Sequence, residues 1–361
     1  MRIIFLAQFP PPIHGLSKAV DTLYHSCIKE KYIFDKIDIT KNRRILQTLF
    51  AIATRDADVF YFTISQTKGG NLRDLAFLAL IGLRRKKCII HLHGGYYRML
   101  MQQDCSAWQR WLNRRLLSKV ECAIVLGDSL RNQFEGYVSP DRIRVVQNCI
   151  DYEFMPNDMK EKTTQIQQAS AINVVYLSNF IKEKGYREVL EVARIMKERG
   201  KEELFAFHFA GKFFNKTEQA YFNDYVKEYD LRNVVFHGVV MSKEKKDLLE
   251  KGHVMMLLTR YPNEGQPITL LEAMGNGMVV VTTNHSGIPD ISTSDNGYVC
   301  DKQHIDVGEI VDFLNKCRDD KEYLLDVCEK NYRWVRDHFT ERQYIQNMDK
   351  VFEEVGHERK N

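Results

Sequence analysis

Short runs rich in β-branched and aromatic residues recur along the chain, each followed by a turn and then by a segment whose apolar positions repeat every three or four residues. The runs Ile3 to Phe9, Val59 to Ile64, Lys87 to Leu92, Ala123 to Leu126 and Ile143 to Val146 read as buried strands. After the first of them, Ser17 is placed to cap a helix whose apolar stripe is Val20, Leu23, Tyr24, Cys27 and Ile28. From 152 to 171 the pattern fails: the segment is polar, carries one proline and reads as an interdomain linker. A second alternation begins at Ile172 to Leu177 and continues through Phe205 to Ala210, Val234 to Phe236, Val254 to Thr259 and Met278 to Thr283. Polar helices follow from Val307 to the end. Strands alternating with helices favour α/β layers with parallel sheets, here as two Rossmann-like domains, 1–151 and 172–340, with a cleft between them.

A length of 361 residues leaves room for two domains, each with its own core. The net charge is only +4, yet residues 1–151 hold 23 Lys and Arg against 13 Asp and Glu, and the remainder 29 against 35. A basic N-terminal half points to a polyanionic partner or to a solvated basic face. Tyr96 to Met101 and Trp108 to Leu117 interleave aromatics, aliphatics and arginines, and Arg84 to Lys87 is a run of four cations. That composition suits an anionic membrane surface, although half of the stripe must also pack as core. Nucleic acid is not expected, because no recognised binding module is present. The eight cysteines are scattered without a C-x-x-C pair, which suggests buried free thiols in a reducing cytoplasm. Met1 to Phe9 is too short for a signal peptide and Leu75 to Leu83 too short to span a bilayer, so a soluble or peripheral protein is expected.

The densest chemistry lies in Tyr261 to Gly277, where Glu264 and Glu272 stand eight positions apart. A buried strand precedes them, Pro267 suits a first helical turn and Gly277 can end the helix, so Glu264 falls in the loop and Glu272 in the helix. A helix N-terminus offers N–H donors and a positive dipole end to phosphate, and carboxylates accept hydrogen bonds from sugar hydroxyls. Alone, the pair also fits a buried helix with two surface glutamates. Its company is more specific. Glu264, Gly265, Pro267, Glu272, Ala273, Met274 and Gly277, then Val279 to Thr282 and Ser286 to Ile291, resemble the C-terminal signature of the retaining glycosyltransferases of family 4. The resemblance implies the GT-B fold, with a final helix, about Glu341 to Val355, crossing back to the N-terminal domain. It also implies Glu264 beside the donor sugar, Glu272 on the ribose, and the backbone of Gly265, Gln266, Pro267 and Ile268 at the phosphates.

Other segments extend the resemblance. Lys184-Gly185 follows the strand ending at Leu177 with the spacing of the family's phosphate-binding lysine, whereas Asn179 stands where the family has arginine. Asparagine donates a hydrogen bond but brings no charge, so the diphosphate grip is expected to be either weaker or completed by another residue. Phe9 to Gly15 lacks the glycine fingerprint of dinucleotide enzymes and resembles the family's proline-then-glycine loop, with Gly15 the permissive position and His14 replacing the commoner glycine. His93-Gly94 resembles the cleft histidine near the transferred sugar, while His91 reads as a packed core residue. The two histidines share a face, but no Asp or Glu joins them within ten residues, and no metal is expected. Asp56-Ala-Asp58 precedes its strand, on the wrong end for a ligand, and reads as a polar turn. Asn148 and Asp151 match the family's hinge.

Together these readings imply a metal-independent retaining glycosyltransferase that needs no cofactor beyond a nucleotide-sugar donor, UDP above all. The acceptor would be a glycan or lipid-linked glycan used in cell-surface polysaccharide synthesis. A nucleotide-sugar epimerase of similar fold, which needs no acceptor, and a non-catalytic nucleotide-sugar-binding protein are the rivals.

Overall fold

The computed structural model of the protein describes residues 1–12 and 15–357. Among the described residues, twelve strands form two six-stranded sheets, and every strand pair is parallel. The first sheet comprises β1 (Arg2–Ala7), β2 (Ile33–Asp38), β3 (Val59–Thr63), β4 (Lys87–His91), β5 (Cys122–Val125) and β6 (Ile143–Val145), in the order β2-β1-β3-β4-β5-β6. The second comprises β7 (Ile172–Leu177), β8 (Phe205–Ala210), β9 (Val234–Gly238), β10 (Val254–Leu257), β11 (Val279–Thr283) and β12 (Gly297–Cys300), in the order β12-β11-β10-β7-β8-β9. Consecutive residues of β1, β3, β4 and β10 are buried without alternation, as parallel sheets covered by helices on both faces require. The chain divides into two compact units, one of Met1–Cys149, Asn263–Gln266 and the residues from Glu341 onward, the other of Ile150–Pro262 and Pro267–Thr340.

The helix Glu341–His357 belongs to the first unit because Tyr344, Met348, Val351, Phe352 and Val355 form one buried stripe. The Phe352 ring packs edge-on against Phe5 and Tyr61, and Tyr344 donates to the Ala19 carbonyl at 3.2 Å. On the polar side, Lys31 and Tyr32 reach Asp349 at 3.0 and 2.7 Å. This is the crossing helix that the family resemblance implies.

Several expectations need correction. Residues 152–171 are not a bare linker: they hold the turn Tyr152–Phe154 and the helix Lys160–Gln168, both in the second unit, with Ile166 buried. Polar composition misled here because Lys162 is itself buried, its ammonium donating to the carbonyls of Glu250 at 2.8 Å and Gly252 at the end of helix Ser242–Lys251. Residues 263–266, expected in the second domain, fall in the first unit. Ser17 is no cap, since the helix Gly15–Tyr24 already includes it, and its hydroxyl ties the first turn to the Pro12 carbonyl at 2.8 Å. Strands β2 and β12 were not legible: β2 carries Asp35 and Lys36 at a sheet edge, where charge discourages further pairing, and β12 opens on a glycine and is buried only at its two ends.

Candidate functional site

In the second sheet the strand order reverses between β7 and β10, and open α/β sheets bind ligands beyond the C-terminal ends of such a pair. Two of the candidate segments emerge there. After β7 come exposed Asn179 and the turn Lys182–Lys184, closed by Gly185 at φ +83°. A Cβ on Gly185 would run into the Leu258 carbonyl, so glycine alone lets the turn lie against the end of β10. There the Arg260 amide donates to the Glu183 carbonyl at 2.6 Å, the Arg260 guanidinium pairs with Glu188, and the Lys184 ammonium sits 5.0 Å from the Tyr261 ring centre. The carbonyl of Tyr261 lies 2.8 Å from His285 Nε2.

The helix Ile268–Gly275 follows, with Pro267 at its N-cap rather than inside its first turn and with no side chain capping it. The first N–H groups of a helix have no intrahelical acceptor, which suits this end to an anion. Glu272 is buried, and Lys245 from helix Ser242–Lys251 holds its Oε1 at 2.6 Å. Gly277, at φ +65°, ends the segment.

The first unit assembles the other candidates around β4. His91 is fully buried, with Nδ1 2.7 Å from the Tyr61 hydroxyl. Burial, with His93 beside it, holds its pKa well below the ordinary histidine value, so it is a neutral core imidazole. The rings of His91 and His93 lie 3.9 Å apart. A Cβ on Gly94 would strike the Gln66 amide and come within 2.7 Å of the Asn263 carbonyl, and one on Gly265 would lie 2.5 Å from the His93 carbonyl. Two glycines thus allow the His93 backbone and the Asn263–Gln266 loop to touch. Glu264 stands in that loop, buried.

The role expected of Gln266 lies in its backbone, and its side chain has a separate engagement. Its Oε1 accepts from the Asn148 amide at 2.7 Å and its Nε2 donates to the Leu126 carbonyl at 3.1 Å, so the side chain is a latch inside the first unit. Asn148 also donates its Nδ2 to the Gln266 carbonyl at 2.9 Å, consistent with a structural part for the hinge. Gly15 opens its helix beyond the C-terminal end of β1, and His14 lies outside the described residues. Asp58 accepts from the Arg2 amide at 2.7 Å and Asp56 lies 3.6 Å from Lys86, both at the start of β3. Among the described residues, no group of three or more His, Cys, Asp or Glu side chains could hold a metal ion.

The basic run is not four outward charges. Arg84 donates to the carbonyls of Ile52 and Arg55, and buried Lys87 to that of Val355, leaving Arg85 exposed and Lys86 half-buried at the surface. Trp108 and Trp111 are 56% and 59% exposed, with the Arg115 guanidinium 5.7 Å from the Trp111 ring. No helix of the described residues is long and apolar enough to cross a membrane.

Sequence reasoning missed Lys245, Arg260 and His285. Lys245 lies in Lys243-Glu-Lys-Lys246, which reads as a solvated helix face, and the other two sit in loops whose approach only the fold decides.

Two family models match the chain: Glycosyltransferase Family 4 over residues 37–154 and Glycosyl transferases group 1 over 160–334. The chain belongs to the GT-B glycosyltransferases. It is 20% identical to an uncharacterized 41.2 kDa protein in the cps region of Klebsiella pneumoniae, over 70% of this chain and 78% of that one. It is 29% identical to the putative colanic acid biosynthesis glycosyltransferase WcaL of Escherichia coli K12, over 43% of this chain and 37% of WcaL. Among solved structures, Anabaena HepE in complex with UDP superposes with a TM-score of 0.76 at 14% identity, covering 98% of this chain and all of HepE.

Proposed function

We propose that this glycosyltransferase moves a sugar from a UDP-sugar, with retention and without a metal ion, to a glycan or lipid-linked glycan acceptor in cell-surface polysaccharide synthesis. The observation that carries the reading is the convergence, at the reversal between β7 and β10, of an uncapped helix N-terminus, Lys184 and the buried carboxylate Glu272. In this proposal the helix end and Lys184 receive the diphosphate, and Glu272 accepts from the ribose. Arg260, whose amide joins the Lys184 turn and whose guanidinium pairs with Glu188, is the cation proposed to stand in for the charge that Asn179 lacks. Glu264 and His93 border the transferred sugar. The bond between the anomeric carbon and the diphosphate breaks, the acceptor oxygen bonds to that carbon from the same face, and the acceptor proton passes to the departing phosphate. The UDP bound to HepE and the colanic acid assignment of WcaL support the donor and the pathway class. The exposed tryptophans with Arg85, Lys86, Arg115 and Lys119 support docking on an anionic membrane face, and six buried free thiols fit a cytoplasmic setting.

Thermal-shift screening tests the donor first: UDP and UDP-sugars should raise the melting temperature more than GDP or ADP counterparts, because a ligand that binds only the folded state stabilises it. Turnover should then need an acceptor and persist in EDTA. Product from donor and water alone would favour the epimerase reading, and loss of turnover in EDTA, restored by magnesium or manganese, would overturn metal independence.

A further inference from the structure

We infer that Lys245 is a positioning residue for the donor, orienting the Glu272 carboxylate that receives the ribose hydroxyls; the inference rests on that ribose reading. The Lys245–Glu272 pair is the most enclosed contact of the second unit's candidate site, with the side chains 19% and 4% exposed and Nζ 2.6 Å from Oε1. A buried carboxylate needs a partner, and a carboxylate has about four lone-pair sites, enough for one ammonium and two hydroxyls.

The lysine is itself held. Its ammonium sits 4.3 Å from the centre of the Phe154 ring, and Phe154 is buried. Asn276 donates from one amide nitrogen to the Phe154 carbonyl at 2.5 Å and to the Glu272 carbonyl at 2.8 Å. The aromatic floor under Lys245 is therefore tied to the helix that carries Glu272. Lysine, carboxylate, ring and amide form one closed unit that fixes the orientation of the carboxylate. A surface ion pair would do none of this, since it would be screened and mobile.

Titration calorimetry with UDP and 2′,3′-dideoxy-UDP separates the possibilities. Wild type should prefer UDP by roughly 30-fold or more, the scale of two net hydrogen bonds. Glu272→Ala should abolish the preference. Lys245→Met should reduce it to within about threefold and raise KM for the donor more than it lowers kcat, while Lys245→Arg restores most of it. Should Lys245→Met fail to fold, Lys245→Gln, which offers the carboxylate an uncharged donor, carries the test, and a preference at least about fivefold below wild type is expected. Wild-type preference in the Lys245 variants, with Glu272→Ala still abolishing it, would overturn the positioning role alone. A preference that survives Glu272→Ala would remove the ribose reading and this inference with it.

Discussion

In the first unit the candidate residues are brought together by main chain, whereas in the second they are held by charge. Gly94 and Gly265 let the His93 backbone and the Glu264 loop approach, and the neutral amides of Asn148 and Gln266 fasten that loop. The second unit instead sets Lys245 on Glu272, Arg260 on Glu188 and Lys184 over Tyr261. Backbone proximity fixes a position to tenths of an ångström, and clustered charge fixes affinity for an anionic ligand. On the proposed reading the labour is divided: the loop carrying Glu264 would orient the reacting sugar, and the second unit would bind the nucleotide.

The largest test of that division is a pair of substitutions eight positions apart. Glu264→Gln should lower kcat by about 100-fold or more while leaving the affinity for UDP near wild type, because a contact at the reacting sugar strengthens as charge develops. Glu272→Ala should weaken UDP binding by roughly 10-fold or more with a smaller effect on kcat, since a ribose contact is nearly equal in ground and transition states. Calorimetry and initial rates on the same preparations check both. Unchanged UDP affinity in the Glu272 variant would refute its assignment.

A smaller effect is expected where the packing itself is challenged. Gly265→Ala forces a methyl to 2.5 Å from the His93 carbonyl, and Gly185→Ala adds a left-handed φ of +83° to its clash with Leu258. Each should cost about 1–3 kcal/mol, Gly185→Ala the more. Gly69→Ala, in helix Lys68–Leu83 with nothing within 4 Å, should be neutral or stabilising by up to about 1 kcal/mol. Thermal melts rank the three, and equal melting temperatures for Gly265→Ala and Gly69→Ala would mean that the loop is not held by backbone contact.

Legibility follows the same division. The second unit's candidate residues were found because they are residue types at fixed spacing: a lysine and glycine after one strand, and a glutamate in the helix that follows another. The strands β7 and β8 have the bounds that the hydrophobic runs imply, because each begins and ends on a buried apolar residue and is mostly buried between. What escaped depends on partners distant in sequence. Gln266 has the position of a ligand residue, and only the fold reveals that Asn148 and Leu126 occupy its amide. Lys245 looks like a solvent-facing lysine until Phe154 and Glu272 close around it. Lys162 misled the domain boundary in the same way, a cation used on backbone carbonyls inside a segment that composition marks as solvated.

The weakest effect concerns the outer face of the first unit, where charge should act through a surface rather than a pocket. Arg85, Lys86, Arg115 and Lys119 lie at or near solvent, and Trp108 and Trp111 are exposed beside them in sequence. Each basic residue near an anionic leaflet contributes about 1 kcal/mol, and salt screens it within roughly a Debye length. The protein should therefore pellet with anionic liposomes at low salt, detach largely at high salt and ignore neutral ones. Replacing Arg85, Lys86, Arg115 and Lys119 with serine should weaken pelleting with little effect on the melting temperature, since exposed pairs such as Lys86–Asp56 contribute little. Replacing Arg84 and Lys87 should do the reverse, because their cations bond backbone carbonyls of the same unit and leave those acceptors unpaired when removed. Equal pelleting with neutral and anionic vesicles would remove the electrostatic argument, and no pelleting with either would assign the basic excess to solvation and point to a soluble acceptor.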